Sequence, residues 1–416
     1  MSERIYQTQL SNGLTLVLEA MPWLPSASLK LTLPVGAATD PEGQEGSATV
    51  LHDWLSRGAG GRDSRQLSDA FDSLGVRQGG SAGRESMSFS ASLLADTLPD
   101  ALRLYADIVR RPELADDEFV SARTTAEQEL ASLDDSPTQR LFLALSRTLF
   151  TSGQGRSPYG TEAGLAALSA ESVRADFGRR VSPQGAILSV AGGVTWDDLR
   201  ATVEESFGDW AGDGVPIPEP SIVTGTREHI DSDTSQTQIG VAYEAVAPGD
   251  EGWYENALVN GVLSGGMGSR LFKEVREKRG LVYSVAAVGR TVRGLGYTLG
   301  YAGTTPERAD ETLSVLLHEL ERIYDEGVEA DELERARTGI LSSLVMQGES
   351  SGSRADTLGR DIFLFGRPRP VEQTKEAIAA ITVDTLNTFL ANRPRPEFTV
   401  LTLGPKAVTR HAVEAL

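Results

Sequence analysis

A histidine and an aspartate stand side by side in a predicted helix at residues 46–61 (GSATVLHDWLSRGAGG), with Ser47 as its expected N-cap. Imidazole and carboxylate groups are metal ligands, so His52 and Asp53, completed by Glu129, are residues whose types could bind a metal. Adjacent residues of a helix point about 100° apart, however, and do not converge on one ion. The spacing alone therefore favours an ordinary amphipathic helix with solvated polar residues.

A second segment with chemical potential is 264–285, SGGMGSRLFKEVREKRGLVYSV. It predicts a glycine-rich turn, a helix over 269–278 that stops at Gly280, and a strand over 281–285. The turn lacks the Gly-Lys-Ser/Thr ending of a phosphate loop, which disfavours a phosphate site. By spacing alone, Arg276 is a cation suited to the helix C-terminus and Tyr283 a half-buried aromatic.

Composition restricts the chemistry further. The 416 residues include no cysteine and four histidines, His52, His229, His318 and His411, which excludes a cysteine-ligated zinc, a disulfide framework and a thiol nucleophile. Fifty-nine acidic against 39 basic residues give a net charge of −20, which disfavours nucleic-acid binding. Neither a signal peptide nor a run of 18 apolar residues is visible, so we expect a cytoplasmic protein that does not bind membranes.

A weak internal repeat indicates duplication. DEFVSART at 117–124 and DELERART at 331–338 lie 214 residues apart, each after an amphipathic helix and an alternating segment. The proline-rich stretch 212–226 predicts a linker between domains at 1–211 and 227–416.

The fold class follows from how predicted strands and helices interleave. Alternating segments at 14–18, 28–33, 86–93 and 237–243 predict strands, with helices between and after them. We therefore predict two homologous α+β domains, each with a mainly antiparallel mixed sheet and helices packed on one face.

The helical segment 46–61 resembles the first motif of the pitrilysin/insulinase metallopeptidases, the inverted-zinc-motif group that includes mitochondrial processing peptidase. That family reads H-x-x-E-H, with two histidine ligands and a glutamate as general base. In this chain the three positions are Thr49, His52 and Asp53, and the family's third ligand matches Glu129. The resemblance implies that a zinc site of the family type does not form here and that this chain holds no cofactor.

The resemblance extends along nearly the whole chain, through LSNGLTLVLE, SPYGTEAGLAAL and AILSVAGGVTWDDLRATVEESFGDW, and is closest at 264–285. It implies that Arg276 and Tyr283 hold the substrate backbone and stabilise the oxyanion at a zinc site. This combination resembles the zinc-lacking subunit of bacterial two-component members. The resemblance further implies a half-shell of two domains, inactive alone, that joins a zinc-bearing homologous subunit in a heterodimer to hydrolyse peptides.

Two other functions are compatible with the sequence. One is a non-catalytic structural protein, similar to the core subunits of the respiratory cytochrome complex that share this fold. The other is a self-sufficient hydrolase with a carboxylate-rich metal site near Asp53 and Glu129. Stretch 78–89 matches the family's substrate-binding edge strand, but Gly79 and Gly80 stand where the family often has Asn-Ala, so we expect this edge not to bind peptide.

Overall fold

Strands and helices alternate along residues 4–409, the part of the chain that this computed structural model describes. The strands are β1 Arg4–Gln9, β2 Thr15–Ala20, β3 Ser26–Leu33, β4 Gly58–Ala59, β5 Arg62–Asp63, β6 Arg77–Ala82, β7 Met87–Leu94, β8 Ile187–Gly192, β9 Arg227–Asp231, β10 Thr237–Ala245, β11 Val282–Val292, β12 Leu295–Thr304 and β13 Thr399–Gly404. The α-helices are α1 Ser47–Leu55, α2 Ser64–Ser73, α3 Leu98–Arg110, α4 Asp116–Ser132, α5 Pro137–Leu149, α6 Glu162–Ala167, α7 Ala170–Arg180, α8 Trp196–Phe207, α9 Trp253–Ser264, α10 Ala309–Glu326, α11 Ala330–Gly348, α12 Ser351–Phe365, α13 Val371–Ala380 and α14 Val383–Asn392. A π-helix spans Phe272–Lys278, and short 3₁₀ turns lie at Ala37–Thr39, Ala95–Thr97, Leu133–Asp135, Gly153–Gly155 and Pro306–Arg308.

The chain forms two units, and five strands of each sheet follow the same order, while β1 is an additional edge strand of the first sheet. Unit 1 contains a sheet of order β1-β2-β8-β3-β7-β6, and unit 2 a sheet of order β9-β13-β10-β12-β11. In each sheet an early strand pairs in parallel with the last strand of its half, β2 with β8 and β9 with β13, while the other pairs are antiparallel. The repeated octapeptides lie in equivalent helices, α4 and α11. The prediction of two duplicated α+β domains with mainly antiparallel mixed sheets is confirmed.

The core of unit 1 lies between its sheet and helices such as α1 and α3. Leu16 and Leu18 of β2 face this core, with Leu51 and Trp54 of α1, all fully buried. Val17, between the two leucines, points to the opposite face of the sheet, as the period of a strand requires. Each buried leucine stabilises the fold by about 1.5–3 kcal/mol.

Helix α12 covers that opposite face. The sequence predicted helices on one face of the sheet, and the structure adds this helix on the other face. Its Leu358 and Ile362 pack on Val17 and Ile187. The addition has a physical reason, because every residue of β8 is buried and a strand buried on both faces requires cover on both sides. Polar contacts accompany the apolar ones: Arg354 of α12 pairs with Glu19 of β2, Nε to Oε2 at 2.7 Å.

Unit 2 is built in the same way. Ile239, Val241 and Tyr243 of β10 face a core shared with α9 and α10, while Ala242 faces Leu145 of α5 on the other side of the sheet.

The two outer helices are exchanged between the halves of the sequence. Unit 1 consists of residues 4–132, 156–218 and 347–370, so α12 comes to it from the second half. Unit 2 takes α5 from the first half. The units are therefore not the two continuous segments 1–211 and 227–416. One of the points at which the chain passes from unit 1 to unit 2, between Pro218 and Glu219, falls within the predicted linker 212–226. Among the described helices, none combines the length and the apolar character that crossing a bilayer requires.

Candidate functional site

The degenerate zinc motif lies on α1, whose N-terminus is fixed by Asp40 rather than by the expected Ser47 cap. The N-cap residue of α1 is Gly46, which has no side chain that could accept a hydrogen bond from the helix. Instead, the Asp40 carboxylate accepts from the backbone N–H groups of Gly46 at 2.8 Å and Ala48 at 2.9 Å. The capping prediction is wrong because Ser47 is the first helical residue, and its hydroxyl donates to Asp176 at 2.7 Å.

Buried charges surround this helix start. Arg180, 1% exposed, lies between the carboxylates of Asp40 and Asp176. Burial raises the pKa of Asp40 to about 6, although Arg180 and the two backbone donors act in the opposite direction. The first turn of α1 is therefore held in place from the protein interior.

The three motif positions on α1 are all occupied by contacts within the protein. The Thr49 hydroxyl donates to the carbonyl of Pro158 at 2.5 Å. His52 Nε2 lies 3.0 Å from the carbonyl of Ser88, and its ring stacks on Phe89 with centroids 4.7 Å apart. Burial lowers the pKa of His52, which favours a neutral ring whose Nε2–H donates to Ser88.

Asp53 is engaged in an ion pair, and Glu129 lies on a different helix. Asp53 accepts two hydrogen bonds from Arg57, at 2.9 and 3.1 Å, and Arg57 also donates to Glu118 of α4. Glu129 is an exposed residue of α4. Within residues 4–409, no three His, Cys, Asp or Glu side chains are arranged to hold a metal ion. The hydroxyl, the hydrogen-bonded imidazole and the ion-paired carboxylate on α1 do not fit a zinc ion.

The edge strand β6 touches the motif through Gly80. Its φ of +147° is rare for residues with side chains, and a Cβ there would lie 2.2 Å from the Ser88 carbonyl and 3.1 Å from His52 Nε2. Gly80 therefore makes room for the imidazole. Strand β6 forms one edge of the unit 1 sheet, and the absence of peptide binding there stays a prediction.

Arg276 lies on the π-helix Phe272–Lys278, where the sequence predicted an α-helix over 269–278. Its guanidinium carbon lies 4.8 Å from the ring centre of Phe272 and 5.0 Å from that of Tyr283. Among the described residues no carboxylate pairs with it. Lys278 and Arg279, by contrast, both donate to Glu274, at 2.7 and 3.1 Å. Arg276 is thus a cation held by aromatic rings, with donors left for a ligand.

Tyr283 is the extra residue of a β-bulge in the edge strand β11. Val282 pairs with Thr304 and Ser284 with Gly303, so Tyr283 has no residue opposite it. A bulge redirects a side chain, and Tyr283 is 81% exposed. The expectation of a half-buried tyrosine is wrong, because a regular strand would turn residue 283 to the same face as Leu281, which is buried.

Sequence reasoning missed two residues that shape these sites. Phe272 stacks on Arg276 from four residues earlier, and this helical spacing of an aromatic and a cation is a readable signal. Asp40 fixes α1 from outside the helix, and no local pattern indicates its role. Of the other histidines, His229 contacts Thr402 and Asp231, and His411 lies outside the described residues.

Known proteins resemble the chain over nearly its whole length. Residues 15–162 match the family model described as insulinase (peptidase family M16), and residues 167–340 match the model described as peptidase M16 inactive domain. A protein of Rickettsia bellii, described as an uncharacterized zinc protease, is 27% identical over 398 residues, covering 94% of this chain and 96% of its own. A Mycobacterium tuberculosis protein with the same description is 28% identical over 417 residues, covering 99% and 95%.

Solved structures show the same fold. A peptidase M16 inactive domain from Pseudomonas fluorescens superposes with a TM-score of 0.89 at 21% identity, covering 99% of this chain and all of its own. A protease from Helicobacter pylori gives a TM-score of 0.86 at 17% identity, covering 96% and 99%. The resemblance read from the motifs is confirmed: the chain belongs to peptidase family M16, the insulinase family, and its second half matches the family's inactive domain.

Proposed function

We propose that this chain is the zinc-lacking subunit of a heterodimeric peptidase. A homologous partner with an intact H-x-x-E-H motif carries the zinc ion, and this chain contributes Arg276 and Tyr283 to the partner's site. The observation that carries the proposal is the state of the pair: no carboxylate within residues 4–409 pairs with Arg276, and the exposed Tyr283 lies beside it.

The chemistry of the pair suits peptide hydrolysis. Attack of water on a peptide carbonyl places negative charge on the carbonyl oxygen, and donors aimed at that oxygen lower the barrier. The guanidinium supplies a planar fork of N–H groups and the phenol supplies one O–H. Because no described residue accepts a hydrogen bond from the Arg276 guanidinium, its N–H groups stay available to a substrate carbonyl beside the two rings.

The zinc-motif helix supports a division of labour between two chains. The threonine hydroxyl is bonded to Pro158, the histidine Nε2 to Ser88 and the aspartate to Arg57, so α1 does not offer the two converging imidazoles and the free carboxylate of the family motif. The arginine–tyrosine pair has no evident use for the fold, since Tyr283 buries little of its surface. A structural protein without catalytic partners gains nothing from exposing such a side chain on a bulge.

Reconstitution tests the proposal. The chain is mixed with a homologous chain from the same organism that carries H-x-x-E-H, and hydrolysis of unstructured peptides is measured for each chain alone and for the mixture. We expect hydrolysis only in the mixture, with loss on zinc removal. A stable complex without hydrolysis of any peptide in a diverse library would contradict the proposal and favour the structural role.

A further inference from the structure

The segment that carries Arg276 and Tyr283 is tied to the rest of unit 2 at its two ends. Between the ties, Leu271 and Val275 are fully buried and pack the segment into the core of unit 2. The Arg276 guanidinium contacts the rings of Phe272 and Tyr283, and no described carboxylate pairs with it. The direction in which its guanidinium points therefore depends on how firmly the two ends are fixed.

Arg270 fixes the first end. It is 7% exposed, and it donates to Glu332 of α11 through Nε at 2.7 Å and through Nη2 at 2.6 Å. Nη2 also donates to the Gly327 carbonyl at 2.7 Å, where α10 ends. Such a forked pair fixes orientation as well as distance, which a lysine in its place does not.

The acceptors of Arg270 are themselves held in place. Glu332 also accepts the backbone N–H of Glu329 at 3.0 Å. Val328 lies between Gly327 and Glu329. Its N–H donates to the side-chain oxygen of Asn387 of α14 at 2.7 Å, and its carbonyl accepts from the Asn387 amide at 3.2 Å. The junction of α10 and α11 is thus a rigid base for the arginine.

The preceding turn gives no comparable support. Residues 264–268 read SGGMG, and Gly265, Gly266, Met267 and Gly268 are exposed. The second end is fixed by hydrogen bonds to backbone carbonyls rather than by an ion pair: the Thr304 hydroxyl donates to the Leu281 carbonyl at 2.7 Å, and Arg308 donates to the Gly280 carbonyl at 2.7 Å. Arg270 and Glu332 form the ion pair at the first end.

We propose that Arg270 and Glu332 are positioning residues that set the orientation of Arg276 and Tyr283 toward the substrate. This inference rests on the proposed function for its catalytic consequence. It assigns control over the turnover of the complex to the ion pair between Arg270, just before the π-helix, and Glu332 of α11, without contact to substrate.

The test uses the reconstituted complex and the full chain. Arg270→Lys keeps the positive charge but loses the forked hydrogen bonds. Glu332→Gln, which is nearly isosteric, tests the same ion pair if Arg270→Lys does not fold. Arg335→Lys, an exposed arginine of α11, is the matched control. We expect turnover to fall about tenfold in Arg270→Lys and Glu332→Gln and to stay unchanged in the control.

A double-mutant comparison separates positioning from general destabilisation. If Arg270 acts through the pair, Arg270→Lys causes no further loss in a chain that already carries Arg276→Ala and Tyr283→Phe. An equal fold-loss in both backgrounds would overturn the proposal.

Hydrogen exchange of the chain alone gives a readout that does not need the peptidase. In Arg270→Lys the amides of 272–281 should exchange about tenfold faster while those of β10 and β12 keep their rates. Unchanged exchange at 272–281 would overturn the positioning role. If Arg276→Ala leaves turnover intact, the proposed function fails, and exchange still decides whether Arg270 fixes the segment.

Discussion

The guanidinium carbon of Arg276 lies 5.0 Å from the ring centre of Tyr283, although one residue belongs to a π-helix and the other to a bulged edge strand. Two irregularities of the backbone thus produce one contact. π-Helices and bulges are uncommon and occur often at functional sites, because each redirects side chains at some cost in regular hydrogen bonding. Because both irregularities occur at these two residues, Arg276 and Tyr283 differ from the other exposed side chains of unit 2.

The ring of Phe272 is the other support of Arg276, and its removal tests the stacking. Replacing Phe272 by leucine keeps an apolar side chain and removes the cation–π contact, which contributes about 0.5–1 kcal/mol at exposed sites. We expect turnover of the reconstituted complex to fall about two- to fivefold in F272L. Val288→Ala, on exposed β11 surface, serves as the control. Wild-type turnover in F272L would show that the ring does not orient the guanidinium.

Chelation should leave the isolated chain unaffected. Thr49, His52 and Asp53 are held by Pro158, Ser88 and Arg57, so zinc contributes nothing to the folding of this chain. We expect the same thermal unfolding midpoint with and without a strong chelator, and no stoichiometric metal in the purified chain. A midpoint lowered by several degrees would instead revive a carboxylate-rich metal site near Asp53.

The ion pair between Glu19 and Arg354 should dominate the attachment of α12. Both side chains are nearly fully buried, so Arg354→Met removes a cation from beside a buried carboxylate and should destabilise the chain by about 3–5 kcal/mol. Adding Glu19→Met should restore most of the loss. Lys30→Met is the matched control on the same interface, because the Lys30–Asp356 pair is partly exposed and should cost about 1 kcal/mol or less. Equal losses for Lys30→Met and Arg354→Met in chemical denaturation would contradict this account.

Glu319 on α10 should give the stability of the chain a distinct pH dependence. Burial raises its pKa to about 7, with Glu274 adding to the increase and Arg322, Arg270 and Arg279 opposing it. The folded chain then binds a proton that the unfolded chain releases near its ordinary value of 4.5. Stability from this residue is full below pH 4.5 and is lost as the pH rises toward 7.

Chemical denaturation across that pH range measures the effect. In Glu319→Gln, which cannot ionise, we expect a weaker fall in the free energy of unfolding between pH 4.5 and 7 than in the wild type. Asp40 titrates in an overlapping range, because its pKa is raised to about 6, and it is unchanged in both proteins. If the free energy of unfolding varies with pH in the same way in both proteins, the raised pKa of Glu319 in the folded chain is contradicted.

Much of the fold could be predicted from the sequence because it depends on periodic patterns. The repeat DEFVSART/DELERART, 214 residues apart, lies on α4 and α11, and the alternating segments correspond to strands of two equivalent sheets. The exchange of α5 and α12 could not be predicted. An amphipathic helix shows that it needs an apolar surface, but its sequence does not specify which of two homologous sheets it covers.

The candidate site, like the fold, could be predicted from the sequence only in part. The departure of Thr49, His52 and Asp53 from the H-x-x-E-H pattern can be read from the sequence, because metal binding depends on residue type and spacing. The exposure of Tyr283 is not visible, since a bulge is set by hydrogen-bond register with β12 rather than by local composition. The role of Arg270 depends on Glu332, 62 residues later in the chain.

The most direct test of the central claim is the turnover number of the reconstituted two-chain complex when Arg276 is replaced by alanine. The account predicts a fall of about 100-fold or more, with unchanged assembly and zinc content, because a donor to the developing oxyanion is lost. Arg290→Ala, which removes another exposed arginine from the same unit, should leave turnover unchanged. Turnover of the Arg276→Ala complex equal to that of the wild type would contradict the claim that this chain completes its partner's active site.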